Sequence, residues 1–341
     1  MIEILLLILS LLMILISAEV FTNGVEAFGS RLCLSQAVVG SLLAAIGTAL
    51  PETILPFVAI FMHGGTAGKH IGVGAILGAP FMLSTLAFFL VGVTAIVSFI
   101  RKKRAFELRV ELRSMKRDLV FFILMYGAAI SIPAFVKGGR VFIAVGLVVG
   151  YIIYAVITFR GESECIFHSD ELYMRRFVKF LRNRSSVVTQ GPEGIPLIGF
   201  QVACALALMV GGAQVFVTGL ETLSRAWGVS PLLFALLVAP IATELPEKFN
   251  SVSWTFKGRD SLAVGNITGA MVFQATFPVS LGLLFTDWAL SGLSLFSAIL
   301  ALLSTLMVLA DISIRKKLSP VTVLLSGLFY VIYAIVIIFS S

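Results

Sequence analysis

Ala44-Ala45-Ile46-Gly47-Thr48-Ala49-Leu50-Pro51-Glu52 and Ala239-Pro240-Ile241-Ala242-Thr243-Glu244-Leu245-Pro246-Glu247 are two versions of one phrase, set 195 residues apart. Each places Thr, Pro and Glu inside a long apolar run where a helix would ordinarily continue. Proline lacks a backbone donor and breaks a helix. A carboxylate deep in an apolar segment costs on the order of 2.5 to 3.5 kcal/mol on insertion scales. The repetition extends beyond the phrase. Residues 17–52 align without gaps onto 212–247, and 13 of those 36 positions are identical, including Ala18/Ala213, Phe21/Phe216, Gly24/Gly219, Glu26/Glu221 and Ser35/Ser230.

The surrounding chain is 59% hydrophobic and only 13% charged, with a mean hydropathy of +1.05. That composition excludes an ordinary soluble domain and points to an all-α integral membrane protein. A span needs roughly 20 apolar residues. Ten stretches qualify: 2–22, 35–62, 71–100, 119–136, 141–159, 195–218, 229–255, 262–285, 289–310 and 318–339. The first lacks the positive n-region of a signal peptide, since the chain opens Met1-Ile2-Glu3. Its repeat counterpart is the sixth span, so it is expected to stay in the mature protein. Cys33, Cys165 and Cys204 have neither CxxC nor disulfide-framework spacing. His63, His70 and His168 are expected in solvated loops. Gly74/Gly78, Gly146/Gly150 and Gly265/Gly269 read as small-xxx-small contacts between helices.

If ten helices alternate across a bilayer, the loops fall into two sets. One holds 20 Lys and Arg residues: Arg31, eight in 101–117, six in 160–194, Lys257, Arg259 and three in 315–317. The other holds four, Lys69, Lys137, Arg140 and Arg225. The positive-inside rule then puts the first set in the cytoplasm and both termini outside. The net charge of +7 is explained by topology, without nucleic acid. Three regions follow: a first five-helix repeat at 1–159, a cytoplasmic linker at 160–194, and a second five-helix repeat at 195–341. The linker's basic amphipathic stretch 171–181 suits the anionic inner leaflet. Five spans per half is an odd number, so the second half enters with opposite orientation. Two inverted repeats, each with a broken helix at the midplane, are the arrangement from which transporters build ion sites.

Under that symmetry Glu52 and Glu247 face one another near the midplane. With Thr48 and Thr243 one turn earlier, and carbonyls released by the prolines, they make an all-oxygen site suited to a hard cation such as Ca²⁺. A competing reading makes each Glu a cap for the half-helix it begins. Glu244 and Lys248 stand four apart and could pair. Three readings are open: Lys248 neutralises Glu244, Lys248 stands in for a bound monovalent cation, or a carboxylate in this apolar setting exchanges a proton. A break at Pro246 would separate the two. No HExxH or Gly-x-Ser-x-Gly element appears, and no enzyme activity is expected.

Gly47-Thr48-Ala49-Leu50-Pro51-Glu52 and Ala242-Thr243-Glu244-Leu245-Pro246-Glu247 resemble the G-T-S-L-P-E signature of sodium/calcium exchangers, in the calcium/cation antiporter superfamily. A second signature, G-N-x-x-G-S-N-x-F-N, resembles Gly265-Asn266-Ile267-Thr268-Gly269-Ala270-Met271-Val272-Phe273-Gln274. The resemblance implies ten helices in two inverted repeats. It makes Glu52 and Glu247 the calcium ligands, with Thr48, Thr243, Glu244, Asn266 and Gln274 in the cation site. The chain departs from the pattern in both repeats. In the first, Gly74-Ala75-Ile76-Leu77-Gly78-Ala79-Pro80-Phe81 carries Ala75, Ala79 and Pro80 in the places of Asn, Ser and Asn. Ala270 and Met271 replace polar residues in the second, and Ala49 and Glu244 replace the motif serines.

The expectation is an antiporter that exchanges Ca²⁺ or a related divalent cation for Na⁺ or H⁺ by alternating access. It has no cofactor beyond the transported ions, and its environment is the lipid bilayer of a prokaryotic plasma membrane. The alternatives are a different cation pair, or a degenerate cation-binding sensor that does not transport.

Overall fold

The computed structural model describes residues 2–31, 49–135, 138–159, 172–175, 194–290 and 292–340. All regular structure among them is helical, apart from an isolated antiparallel bridge between Leu108 and Leu318. The first half holds α1 (Ile2–Arg31), α2 (Leu50–Phe57), α3 (Gly65–Met82), α4 (Phe88–Ile100), α5 (Leu112–Phe135) and α6 (Arg140–Phe159). The second holds α7 (Ile195–Trp227), α8 (Pro231–Thr243), α9 (Leu245–Phe256), α10 (Asp260–Gln274), α11 (Phe277–Phe285), α12 (Gly292–Ile314) and α13 (Pro320–Ser340). Wider π turns at Val58–His63 and Leu83–Ala87 follow α2 and α3. Each comes two or three residues after a proline, Pro56 or Pro80, that removes a donor from the helical ladder.

Among the described residues, seven helical stretches are long and apolar enough to cross a membrane, by length and composition: Glu3–Val25, Gly65–Ile100, Arg140–Thr158, Ile195–Trp227, Asp260–Phe285, Gly292–Ile314 and Pro320–Ile337. The other three expected spans meet more complicated chain. The stretch 35–62 begins outside the described residues, and 229–255 is divided between α8 and α9. The stretch 119–136 lies on α5, whose first turns carry Arg113, Lys116, Arg117 and Asp118. The repeat is visible in where helices begin. α2 and α9 start at 50 and 245, and α3 and α10 at 65 and 260, both 195 apart; α5 and α12 start at 112 and 292, and α6 and α13 at 140 and 320, both 180 apart.

Two apolar cores organise the bundle. One joins α1, α2, α7 and α8 through Ile14, Phe21, Leu55, Met209, Phe216 and Ala239. The other joins α3 to α6 with α10 to α13 through Phe81, Phe88, Phe122, Tyr126, Met271 and Tyr333. Outward rows of Leu, Ile, Val and Phe on α1, α6 and α13 leave an apolar exterior that suits lipid rather than water.

α3 lies directly on α8. A Cβ added at Gly74 would fall 2.2 Å from the Leu232 carbonyl oxygen, and one at Gly78 would fall 2.2 Å from that of Leu236. This pair therefore makes the close helix crossing expected of it. Gly146 has open space around it, and Gly150 meets only the Met125 side chain, so that pair forms no backbone crossing. Nor do Gly265 and Gly269, among the described residues. The counterparts of Leu232 and Leu236 are Ala37 and Ser41, which lie outside them.

Loop contacts sort the chain onto two ends. At one end Arg104 grips Asp260 with both guanidinium nitrogens (2.8 and 2.5 Å), and the Arg109 amide donates to the same carboxylate at 2.8 Å. Leu108 meets Leu318 there as well. The basic segments 101–117, 257–259 and 315–317 thus share one end, so Arg104 is a structural clamp as well as a topological charge. At the other end His63 and Arg225 both contact Glu221, and Arg140 donates to the Thr286 carbonyl. His63 is therefore paired and only partly exposed, rather than solvated in a loop. His70 is exposed on α3, and His168 lies outside the described residues. Replacing Asp260 with Ala would strand a largely buried guanidinium, and breaking such a pair costs about 3 kcal/mol. Thermal unfolding in detergent should show that loss.

Of the expected linker, only Leu172–Arg175 and Gly194 are described. The segment Leu172–Arg175 is seated on α1 and α7. The Tyr173 amide donates to Asn23 Oδ1 (3.0 Å), the Met174 amide to Gln201 Oε1 (2.9 Å), and Gln201 Nε2 to Asn23 Oδ1 (3.0 Å). Leu172 is fully buried beside Ala27 and Ile198. Most of the amphipathic stretch 171–181 lies outside the described residues.

Candidate cation site

The two Pro-Glu phrases produce the same local geometry. Ala49 (φ −84°, ψ 2°) and Glu244 (φ −89°, ψ 10°) are equivalent positions, and each is the non-helical residue before a new helix. Leu50-Pro51-Glu52 and Leu245-Pro246-Glu247 then form first turns, where proline is tolerated because its missing donor would go unused. The break thus precedes the proline instead of falling at it. Glu52 and Glu247 occupy the third helical position, at the positive end of their half-helices.

Because the hinge is Glu244 itself, Lys248 is not cut off from it. The Glu244 amide donates to Pro240 O and the Lys248 amide to Glu244 O, both at 3.1 Å. Lys248 Nζ lies 3.0 Å from Glu244 Oε2, so the i, i+4 ion pair forms despite Pro246. Nζ also donates to Pro240 O at 3.1 Å and approaches Met82 Sδ at 3.2 Å.

Glu52, Glu244, Glu247 and Lys248 are each no more than 6% exposed. The charges of Glu247, Glu244 and Lys248 all act on Glu52, which places the four groups in one electrostatic neighbourhood. Neither carboxylate oxygen of Glu52 has a hydrogen-bond partner among the described residues. Its own amide acts on it electrostatically without the geometry of a hydrogen bond. This orphaned carboxylate does not support the reading of Glu52 as a helix cap. Among the described residues, every other buried carboxylate outside this group has an arginine: Asp118 has Arg117, Asp260 has Arg104 and Asp311 has Arg315.

Thr243 is buried one residue before the hinge, its hydroxyl donating to Ala239 O at 3.1 Å. No group among the described residues donates to its oxygen. Asn266 Nδ2 donates to the Glu247 carbonyl and to Ser251 Oγ, both at 3.2 Å, and so ties α10 to α9. Gln274 closes α10 as a buried residue whose Oε1 has no donor among the described residues. Thr48 lies outside them. No group of three His, Cys, Asp or Glu side chains among the described residues converges tightly enough to hold a metal as the structure stands.

Helix starts at 65 and 260 pair Gly74 with Gly269, not with Gly265. The first-repeat partners of Asn266, Ala270 and Gln274 are then Ile71, Ala75 and Ala79, and the offset used to compare the second signature is corrected by four residues. The sequence reading did not single out Ser251 or Met82. Ser251 could have been found as the residue one turn after Glu247 on the same helical face. Nothing local marks Met82.

A helical bundle with an apolar exterior and half-helices starting at buried carboxylates has the layout of a membrane carrier of cations. The chain belongs to the sodium/calcium exchanger protein family, whose description matches residues 2–160 and 198–341. Members of this family are transmembrane antiporters and not enzymes. Inner membrane protein YrbG of Escherichia coli K12 is 23% identical over 340 residues, covering 96% of this chain and 94% of that one. The crystal structure of the H⁺/Ca²⁺ exchanger CAX superposes with a TM-score of 0.72 at 19% identity, covering 99% of this chain and 86% of that one. The sodium-calcium exchanger NCX_Mj gives a TM-score of 0.58 at 19% identity, covering 97% of each chain.

Proposed function

We propose that this protein is a secondary-active antiporter exchanging Ca²⁺, or a related divalent cation, for Na⁺ or H⁺ by alternating access. The observation that carries this reading is the Glu52 carboxylate, buried beside Glu247 and Glu244 with no donor among the described residues. A buried carboxylate pays for its desolvation only with a counter-charge. The cargo supplies that counter-charge. Glu52 and Glu247 are its principal ligands. Thr48, Thr243, Glu244, Asn266 and Gln274 complete an oxygen-rich surround that Ca²⁺ favours.

The chain spans the bilayer ten times, as two inverted five-helix repeats. The grouping of 101–117, 257–259 and 315–317 at one end supports this, as does the 20-to-4 distribution of basic residues. The basic end faces the cytoplasm of a prokaryote and both termini lie outside. One relative bears the name putative antiporter CaxA, from Alkalimonas amylolytica, and the solved neighbour CAX, a H⁺/Ca²⁺ exchanger, moves the cargo proposed for this chain.

The test is ⁴⁵Ca²⁺ uptake into proteoliposomes loaded with Na⁺, against vesicles carrying only a proton gradient. Uptake at least about tenfold above empty liposomes under one gradient identifies the counter-ion. Uptake under neither would overturn the calcium reading. A second reading, a cation-binding protein that does not transport, is favoured by one observation. Ala75, Ala79, Ala270 and Met271 leave α3 and the middle of α10 without the side-chain oxygens of the signature. It requires Ca²⁺ binding, seen as a thermal shift, without flux.

A further inference from the structure

We infer that Lys248 is a tethered cation permanently occupying one position of the site, so that exchange takes two monovalent ions per divalent ion and moves no net charge. The inference rests on the antiport reading above.

An ammonium has three N–H donors and no acceptor. Lys248 donates to Pro240 O at 3.1 Å and to Met82 Sδ at 3.2 Å, and its charge sits 3.0 Å from Glu244 Oε2. A carboxylate and a main-chain carbonyl near the end of a half-helix are the groups that coordinate a hard monovalent ion in carriers of this architecture. Here the ion is covalently attached to the chain. Pro240 O serves both the Glu244 amide and Lys248 Nζ, so neither of its lone pairs is left for a free ion.

The repeat shows what was added. Glu244 and Lys248 correspond to Ala49 and Thr53, a neutral pair. The second repeat has therefore acquired one negative and one positive charge together, four residues apart, bound to each other. They cancel. With Glu244 matched by Lys248, the formal charge the group offers to cargo is that of Glu52 and Glu247, two negatives; among the described residues, the buried carboxylates outside the group, Asp118, Asp260 and Asp311, each have an arginine. A site closed off inside a membrane is held near neutrality by the cost of buried charge. One divalent ion satisfies it, and so do two monovalent ions. A third has no charge to balance and finds Lys248 in its place.

The experiment compares wild type, Lys248→Met, and Glu244→Gln combined with Lys248→Met, in proteoliposomes clamped with K⁺ and valinomycin. The wild-type steady-state ⁴⁵Ca²⁺ ratio is expected to ignore the membrane potential. Lys248→Met, with a third negative charge, should shift that ratio about 50-fold per 100 mV, the effect of one net charge. The double variant restores two negatives and should again ignore the potential.

A second measurement does not depend on flux. The melting temperature of Lys248→Met in detergent should rise with Na⁺, against choline, by more than wild type does. A potential-dependent wild-type ratio overturns the inference. So does a potential-dependent double variant, or a Lys248→Met protein with no added stabilisation by a monovalent ion. Absence of wild-type Ca²⁺ flux counts against the antiport reading alone, because the melting comparison still decides the role of Lys248.

Discussion

Glu52→Gln is expected to lower Ca²⁺ flux at least about 100-fold, and Glu247→Gln should match it. Two decades correspond to roughly 3 kcal/mol of cation binding. The substitution keeps shape and volume, so the loss reports charge. A purely structural role for Glu52 would give the opposite pattern of stability. Its carboxylate has no hydrogen-bond partner among the described residues, and the acidic groups nearest to it repel it. Removing that charge should leave the cation-free protein as stable as wild type or more so, by about 1 kcal/mol, as is common where a site is strained for function. Flux in proteoliposomes and melting temperature in detergent, measured on one preparation, check both halves. Near-normal flux through the double Glu52→Gln, Glu247→Gln protein would remove the basis for the assigned cargo.

The second large effect is expected at Gly78. Its Cβ position is 2.2 Å from the backbone oxygen of Leu236 and 2.6 Å from Pro240 Cγ, so no side-chain rotation relieves a substitution there. Gly78→Val should cost about 3 kcal/mol or more and lower folded yield. Gly146→Ala is the matched control. Nothing lies within 4 Å of its Cβ position, and the change should stay within about 1 kcal/mol of wild type. If both variants melted alike, the close crossing of α3 on α8 would be wrong. Because α8 ends at Thr243, a tolerated but loosened crossing should also reduce flux.

Much of this architecture was legible in the chain. Hydrophobic runs and the 195-residue repeat located the helices and the two carboxylate-bearing half-helices, because apolar length and proline placement act locally. The hinge was not legible. Proline seemed to mark the break, but proline suits a first helical turn, so the bend moved back to Ala49 and Glu244. That two-residue difference is what lets Lys248 reach Glu244. The glycine pairs were equally ambiguous, since Gly146 and Gly74 look alike until a partner helix is placed against one of them. The clamp of Arg104 on Asp260 joins residues 156 apart and has no periodic signal. A basic run reads the same whether its charges face lipid headgroups or a buried aspartate.

The repeat itself is uneven, and its unevenness has a history in it. The helical stretch Gly65–Ile100 has 36 residues, whereas its counterpart Asp260–Phe285 has 26. Register is kept at 195 through both carboxylate segments and changes to 180 only after this excess and the loop that follows. The difference in length between the halves therefore falls after the carboxylate segments, part of it at the break within the hairpin, where helices start at 88 and 277, and the rest towards its far end. That far end is also where Arg104 reaches across to Asp260. Two copies that began as equals have become a holder and a held part: one half carries the extra arm and the other the socket. The segments that carry Glu52 and Glu247 keep their matching register, and the asymmetry lies further along the chain, where the two halves lock together.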